Sequence, residues 1–162
     1  MGNAELKIIH ICWTDGGGAG IAACRLHRGL CQMGADSTLL VLNKKNADST
    51  IRVFPTDCDG ITAAGGENTQ ANADRVDRSF RRWQAIQTQY PQAPAQAGLF
   101  TDTASEVLLH CVREVRDADI VNLHWVGGVV HVPDLPRALA EKPTVWTLHD
   151  QNPFTGGCHY SG

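Results

Sequence analysis

The chain predicts an α/β domain with a mostly parallel sheet covered by helices on both faces. Three observations carry that prediction: five short apolar runs rich in β-branched residues, a helical period between them, and glycine or polar turns where one pattern gives way to the other. With 162 residues, 43% of them apolar and 19% charged, the chain can bury a core of its own, and a single domain over 1–162 is expected.

The first run, residues 6–13, leads into Asp15-Gly16-Gly17-Gly18, as a buried strand ends in a turn. Over 19–34, Ala23, Leu26, Leu30 and Met33 recur at spacings of three and four, which predicts a helix stopped by Gly34. Strands follow over 37–42 and 50–54, parted by the polar turn 43–48, and the pattern dissolves over 56–68. From Thr69 to about Tyr90 a helical period returns, with Val76, Phe80, Trp83, Ile86 and Tyr90 on one stripe and Arg75, Arg78 and Arg82 on another. The Gln/Ala/Pro stretch 92–98 breaks it.

Thr101 or Thr103 is placed to cap a further helix carrying Val107, Leu108, Cys111, Val112 and Val115. A strand over 118–125 closes on Gly127-Gly128, a short helix covers 133–140, and a last strand over 144–149 runs into the loop 150–162. Order rules for such sheets make the first, fourth and fifth strands neighbours.

Charge narrows the partners. A net charge of -3, from 14 basic and 17 acidic residues, supplies no field for nucleic acid, and no nucleic-acid partner is expected. No apolar run approaches the roughly 20 residues of a membrane span, and Met1-Gly2-Asn3-Ala4-Glu5 lacks the basic start of a secretory signal, so a cytoplasmic location is expected. The six cysteines form no Cys-x-x-Cys and four lie in apolar segments, which argues against a disulfide framework.

In an open parallel sheet ligands bind beyond the carboxyl ends of the strands. Gly16, Gly17 and Gly18 open a helix there, where uncovered N–H groups and the helix dipole favour a phosphate; a plain tight turn is the alternative. A dinucleotide fingerprint fits as Gly18-x-Gly20-x-x-Ala23, but Asn43-Lys44 stand where an acidic residue would hold a ribose, which argues against NAD. His124 and His149 each follow an apolar strand, and neutral imidazole can donate to or accept from a sugar hydroxyl or phosphate. His10, His27, His110 and His131 lack such a setting and are read as ordinary structural residues. His149, Cys158 and His159 do not have the spacing of a four-ligand zinc site, so no metal is expected, and no Gly-x-Ser-x-Gly elbow occurs.

These residues resemble a known family. Ile8-Ile9-His10-Ile11 followed by Asp15-Gly16-Gly17-Gly18-Ala19-Gly20, then Asn122-Leu123-His124-Trp125, and above all Trp146-Thr147-Leu148-His149-Asp150 with Pro153-Phe154-Thr155-Gly156-Gly157-Cys158-His159-Tyr160 are similar to family 4 glycosyltransferases of bacterial polysaccharide clusters. The resemblance spans nearly the whole chain. It implies one Rossmann-like half of a GT-B fold, the N-terminal, acceptor-side domain of an enzyme that transfers a sugar from a nucleotide diphosphate with retention. By the same resemblance His149 and Asp150 are the catalytic candidates, with His149 against the transferred sugar and Asp150 orienting it or its loop. Gly16, Gly17, Gly18 and His124 are the substrate-binding candidates.

No cofactor is implied beyond the nucleotide-diphosphate sugar donor, and the acceptor is a saccharide or a lipid-linked saccharide. The paired glutamates that grip the donor belong to a C-terminal domain beyond these residues, so the isolated chain is expected to be inactive. Gln151-Asn152 departs from the family, which carries an aromatic before Pro-Phe. A lipid-linked acceptor would also place the protein peripherally at the inner membrane face, with the arginine-lined helix over 69–90 as the contact; an ordinary amphipathic helix packed on the sheet is the competing reading. Two other functional readings stay open: a non-catalytic phosphate- or nucleotide-binding domain, and a gene remnant without function.

Overall fold

The computed structural model describes residues 5–55, 70–89 and 99–160. Five parallel strands form one sheet: β1 (Lys7–Thr14), β2 (Asp36–Asn43), β3 (Ile51–Val53), β4 (Ile120–Leu123) and β5 (Thr144–Trp146). Their order is β3-β2-β1-β4-β5, so β1, β4 and β5 are neighbours as the sequence predicts, and the architecture is Rossmann-like. Among the described residues five α-helices accompany the sheet: α1 (Gly17–Gln32), α2 (Gln70–Gln89), α3 (Arg113–Asp117), α4 (Leu135–Leu139) and α5 (Asn152–Thr155).

The two-residue period of the strands divides the core. Ile9, Ile11, Leu40, Leu42, Val121 and Leu123 face one side, where they pack with Phe54, Val107, Leu109, Val112 and Val115. Cys12, Leu39, Val41 and Ile51 face the other, against Ala23 and Cys24 of α1. His10 shares its face with Ile8 and Cys12 and is fully buried on the α1 side, where its ring lies 6.0 Å from that of His27.

Three expectations need correction. The buried stripe of α1 is Gly20, Ala23, Cys24 and His27, whereas Leu26 and Met33 stand 41% and 84% exposed. Gly20 sets this docking, because a Cβ there would lie 2.4 Å from the Thr14 carbonyl oxygen, so helix and strand approach too closely for any side chain. The helix expected from Thr101 or Thr103 is replaced by extended chain, a 3-10 turn over Leu109–Cys111 and the five-residue α3. Val107, Leu109, Val112 and Val115 are its buried residues, at spacings that no single helix face provides. The last strand ends at Trp146 rather than at 149, although Thr147 N still donates to the Leu123 carbonyl at 2.8 Å.

Helix α2 keeps its expected place but not its expected partition. Val76 packs on the core, Trp83 is half-buried and Phe80 is 46% exposed, while Tyr90 lies outside the described residues, as do Cys58 and the segments 56–69 and 90–98. The arginines do not simply face water. Arg78 makes a two-pronged pair with Glu106 at 2.7 and 2.8 Å, Arg82 pairs with Asp102, and Arg75 donates to the Pro55 carbonyl at 2.8 Å. No helix among the described residues is long and apolar enough to cross a membrane.

Candidate functional site at the carboxyl edge of the sheet

Because all five strands are parallel, the segments leaving β1, β4 and β5 emerge on one edge. The first brings the glycine turn. Gly16 is the extended residue before α1, Gly17 has φ +68°, and Gly17 and Gly18 have open space where a Cβ would stand. Asp15, 2% exposed, turns its carboxylate away from that space: it accepts from Lys45 N at 2.7 Å, Asn46 N at 2.8 Å and Asn46 Nδ2 at 2.9 Å. The segment after β2 is thereby pinned under the turn, and the Lys45 side chain runs alongside Gly16.

The segments leaving β4 and β5 bring His124 and His149 together. His124 Nδ1 lies 3.0 Å from His149 Nε2, and the rings stack with centroids 5.3 Å apart. The pairing continues inward, with His124 Nε2 3.2 Å from Nδ1 of His10. Three imidazoles therefore run from the core to the edge. Burial is the main force on their protonation: it lowers His10 to about 3, helped by His124 and His27, and lowers His124 to about 4, helped by His149. Burial also lowers His149, against the pull of the Asp150 carboxylate. All three rings are neutral at physiological pH. At the outer end, Nδ1 of His149 takes no hydrogen bond among the described residues, so the array can offer one imidazole nitrogen to a ligand.

His10 is the residue that sequence reasoning missed. On its own strand it looks like one polar position in an apolar run, and only the register that sets His10 beside Asn122 brings it within reach of His124, 114 residues away.

The Asp150 carboxylate makes no hydrogen bond to the His149 ring among the described residues. It accepts from Trp125 Nε1 at 2.6 Å, from His159 Nδ1, and from Asn152 N at 3.0 Å, so it anchors the loop that follows β5. On its far side His159 Nε2 takes the Thr101 hydroxyl at 2.9 Å, and that oxygen accepts from Asn152 Nδ2 at 3.2 Å. Hydroxyl, imidazole and carboxylate stand here in the order of a nucleophile triad, but His159 is fully buried and Thr101 is 7% exposed. The cluster is a lock. Gly127 and Gly157 complete it, since a Cβ at Gly127 would lie 2.7 Å from the Thr101 hydroxyl and one at Gly157 would penetrate the Phe100 ring.

Beside this edge lies a groove of about 190 Å³ lined by Trp13, Phe80, Trp83, Ile86, Leu99 and Trp125. Trp13 is next to last in β1 and Trp125 follows His124, so the aromatic wall lies at the same edge of the sheet as the histidines. Among the described residues no group of three or more His, Cys, Asp or Glu side chains is placed to hold a metal ion. His149 and His159 point their nitrogens into separate networks. Comparison with family models, with curated proteins and with solved structures returns no match.

Proposed function

We propose that the chain is the acceptor-side domain of a retaining glycosyltransferase of the GT-B, family 4 type, acting in polysaccharide biosynthesis together with a donor-binding domain. The observation that carries this reading is the neutral His124–His149 pair at the carboxyl edge, with one ring nitrogen of His149 that takes no hydrogen bond among the described residues. A neutral imidazole held from behind by a second ring is suited to hydrogen-bond a sugar or phosphate oxygen without the cost of burying charge. In this reading His149 touches the substrate, His124 holds its ring, and Asp150 acts through the loop it anchors. The open face of Gly17 and Gly18 receives a phosphate oxygen, and the aromatic groove takes the ring faces of a saccharide or the apolar part of a lipid-linked one.

Catalysis needs donor and acceptor fixed on both sides of the reacting bond, so the domain alone is expected to bind but not to transfer. Binding of nucleotide-diphosphate sugars and of saccharide phosphates, followed by amide shifts across the chain, tests the proposal. Shifts gathered at 16–18, 124 and 147–150 support it. Turnover by the purified chain, or ligand shifts confined to other surfaces, would count against it.

The second reading, a non-catalytic phosphate- or nucleotide-binding domain, draws on the uncovered Gly17 and Gly18 with Lys45 running beside Gly16. Phosphate binding at the glycine turn with no effect of saccharide at His149 would favour it.

A further inference from the structure

We infer that His10 is a positioning residue: His10, His124 and His149 form one tautomeric unit, and the buried ring helps set which hydrogen-bonding face His149 shows at the edge. Each contact between neutral imidazoles needs one N–H and one bare nitrogen. If His10 carries its proton on Nδ1, it donates to His124 Nε2; His124 must then carry its own on Nδ1 and donate to His149 Nε2, and His149 presents Nδ1–H outward. If His10 Nδ1 is bare, every step reverses and His149 presents a bare Nδ1. A mixed arrangement sets two N–H groups or two lone pairs against each other at 3.2 or 3.0 Å. The unit therefore has two states, all Nδ1–H or all Nε2–H.

The inner end closes the array. His10 Nε2 is buried and has no hydrogen-bond partner among the described residues, while both nitrogens of the neighbouring His27 are engaged at 2.8 Å by the Ser37 and Thr50 hydroxyls. A proton arriving along the rings has no acceptor there, so the array cannot conduct protons into the core. Nor can hops along the rings alone interchange the two states, because His10 must lose or gain a proton at Nε2; the exchange requires a local opening that brings water to that nitrogen, and it reverses all three rings together. With the saccharide-binding reading of His149, on which this consequence rests, a ligand oxygen that accepts from Nδ1–H selects one state of all three rings, and a ligand hydroxyl that donates selects the other.

Two-bond nitrogen–proton correlation spectra of the imidazoles in the full chain, near neutral pH and without ligand, test the coupling. The rings of His10, His124 and His149 are expected to show one common tautomer, or two populations in the same ratio at all three. His10→Leu should change the tautomer ratio of His149, which His10 does not touch, and His10→Asn, which keeps a hydrogen-bonding group at the δ position, should restore part of it, with the amide spectrum confirming that each variant folds. Different tautomers among the three rings of the wild-type chain would overturn the inference, as would a folded His10→Leu variant whose His149 pattern is unchanged. If His10→Leu does not fold, the wild-type pattern decides. No saccharide is added in any arm, so this result stands apart from success or failure of the transferase reading.

Discussion

Two turns leave the same edge of the sheet, the glycine turn after β1 and the histidine pair after β4 and β5, and they use their polar groups in opposite ways. At the glycine turn the charged group is consumed internally, because both oxygens of Asp15 are taken by Lys45 and Asn46. At the histidine pair one nitrogen is left over among the described residues. A glycine-rich turn therefore carries less functional information than its composition suggests. Gly20 is required by helix–strand contact, Gly17 by its positive φ, and Gly18 by neither. The histidine pair is the more informative end, since neutral rings are kept there at the expense of acid stability.

That expense gives the largest expected effect. His10 and His124 sit at about 3 and about 4 in the folded chain against 6.5 when unfolded. Above 6.5 neither state binds the protons; between 6.5 and about 3 the unfolded chain binds them first, so stability present at neutral pH falls as pH falls through this window. The loss is expected to be on the order of a few kcal/mol. Denaturation midpoints followed from pH 6.5 downward should decline less steeply in His10→Asn than in the wild type, and equal slopes would show that burial of these rings is not what acid attacks.

Next comes the glycine turn. Gly20→Ala forces a methyl group against the Thr14 carbonyl and should cost about 3 kcal/mol, whereas Gly18→Ala, with open space, should be neutral or stabilise by up to about 1 kcal/mol. Similar urea midpoints for the two variants would refute the division of roles among these glycines. Asp15→Ala, which strands the N–H groups of Lys45 and Asn46, should cost about 1 to 3 kcal/mol and speed amide exchange at 45 and 46. The smallest effect belongs to the half-exposed Arg82–Asp102 pair, where Arg82→Gln should lower stability by less than about 1 kcal/mol.

The strands were legible because alternation or continuous apolar runs mark them directly, as in Ile8–Ile9 and Leu39–Leu42. The stripe of α1 was not, because hydrophobicity favours Leu26 and Met33 while the real contact uses small residues and a satisfied histidine, Gly20, Ala23, Cys24 and His27. The region 101–115 misled for a related reason: its apolar residues are spaced for a chain that extends, turns and restarts, and Thr101 serves His159 rather than a helix end. At the site, His124 and His149 could be found because His124 directly follows β4 and His149 stands in the segment just beyond β5. His10 and the Asp150–His159–Thr101 lock could not, since they depend on contacts across 114 and 58 residues that no local pattern encodes.

In the proposed function His149 Nδ1, which takes no hydrogen bond among the described residues, meets a sugar or phosphate oxygen. The most direct measurement is the affinity of the wild-type chain and of His149→Ala for a saccharide phosphate, with thermal midpoints recorded alongside. Expected are a clear loss of binding in the variant, at least tenfold or about 1.4 kcal/mol, and a lowered midpoint with the fold kept, because the ring is partly exposed but its removal leaves the buried His124 Nδ1 without its partner. Equal affinity in the two proteins, with both folded, would contradict the proposal.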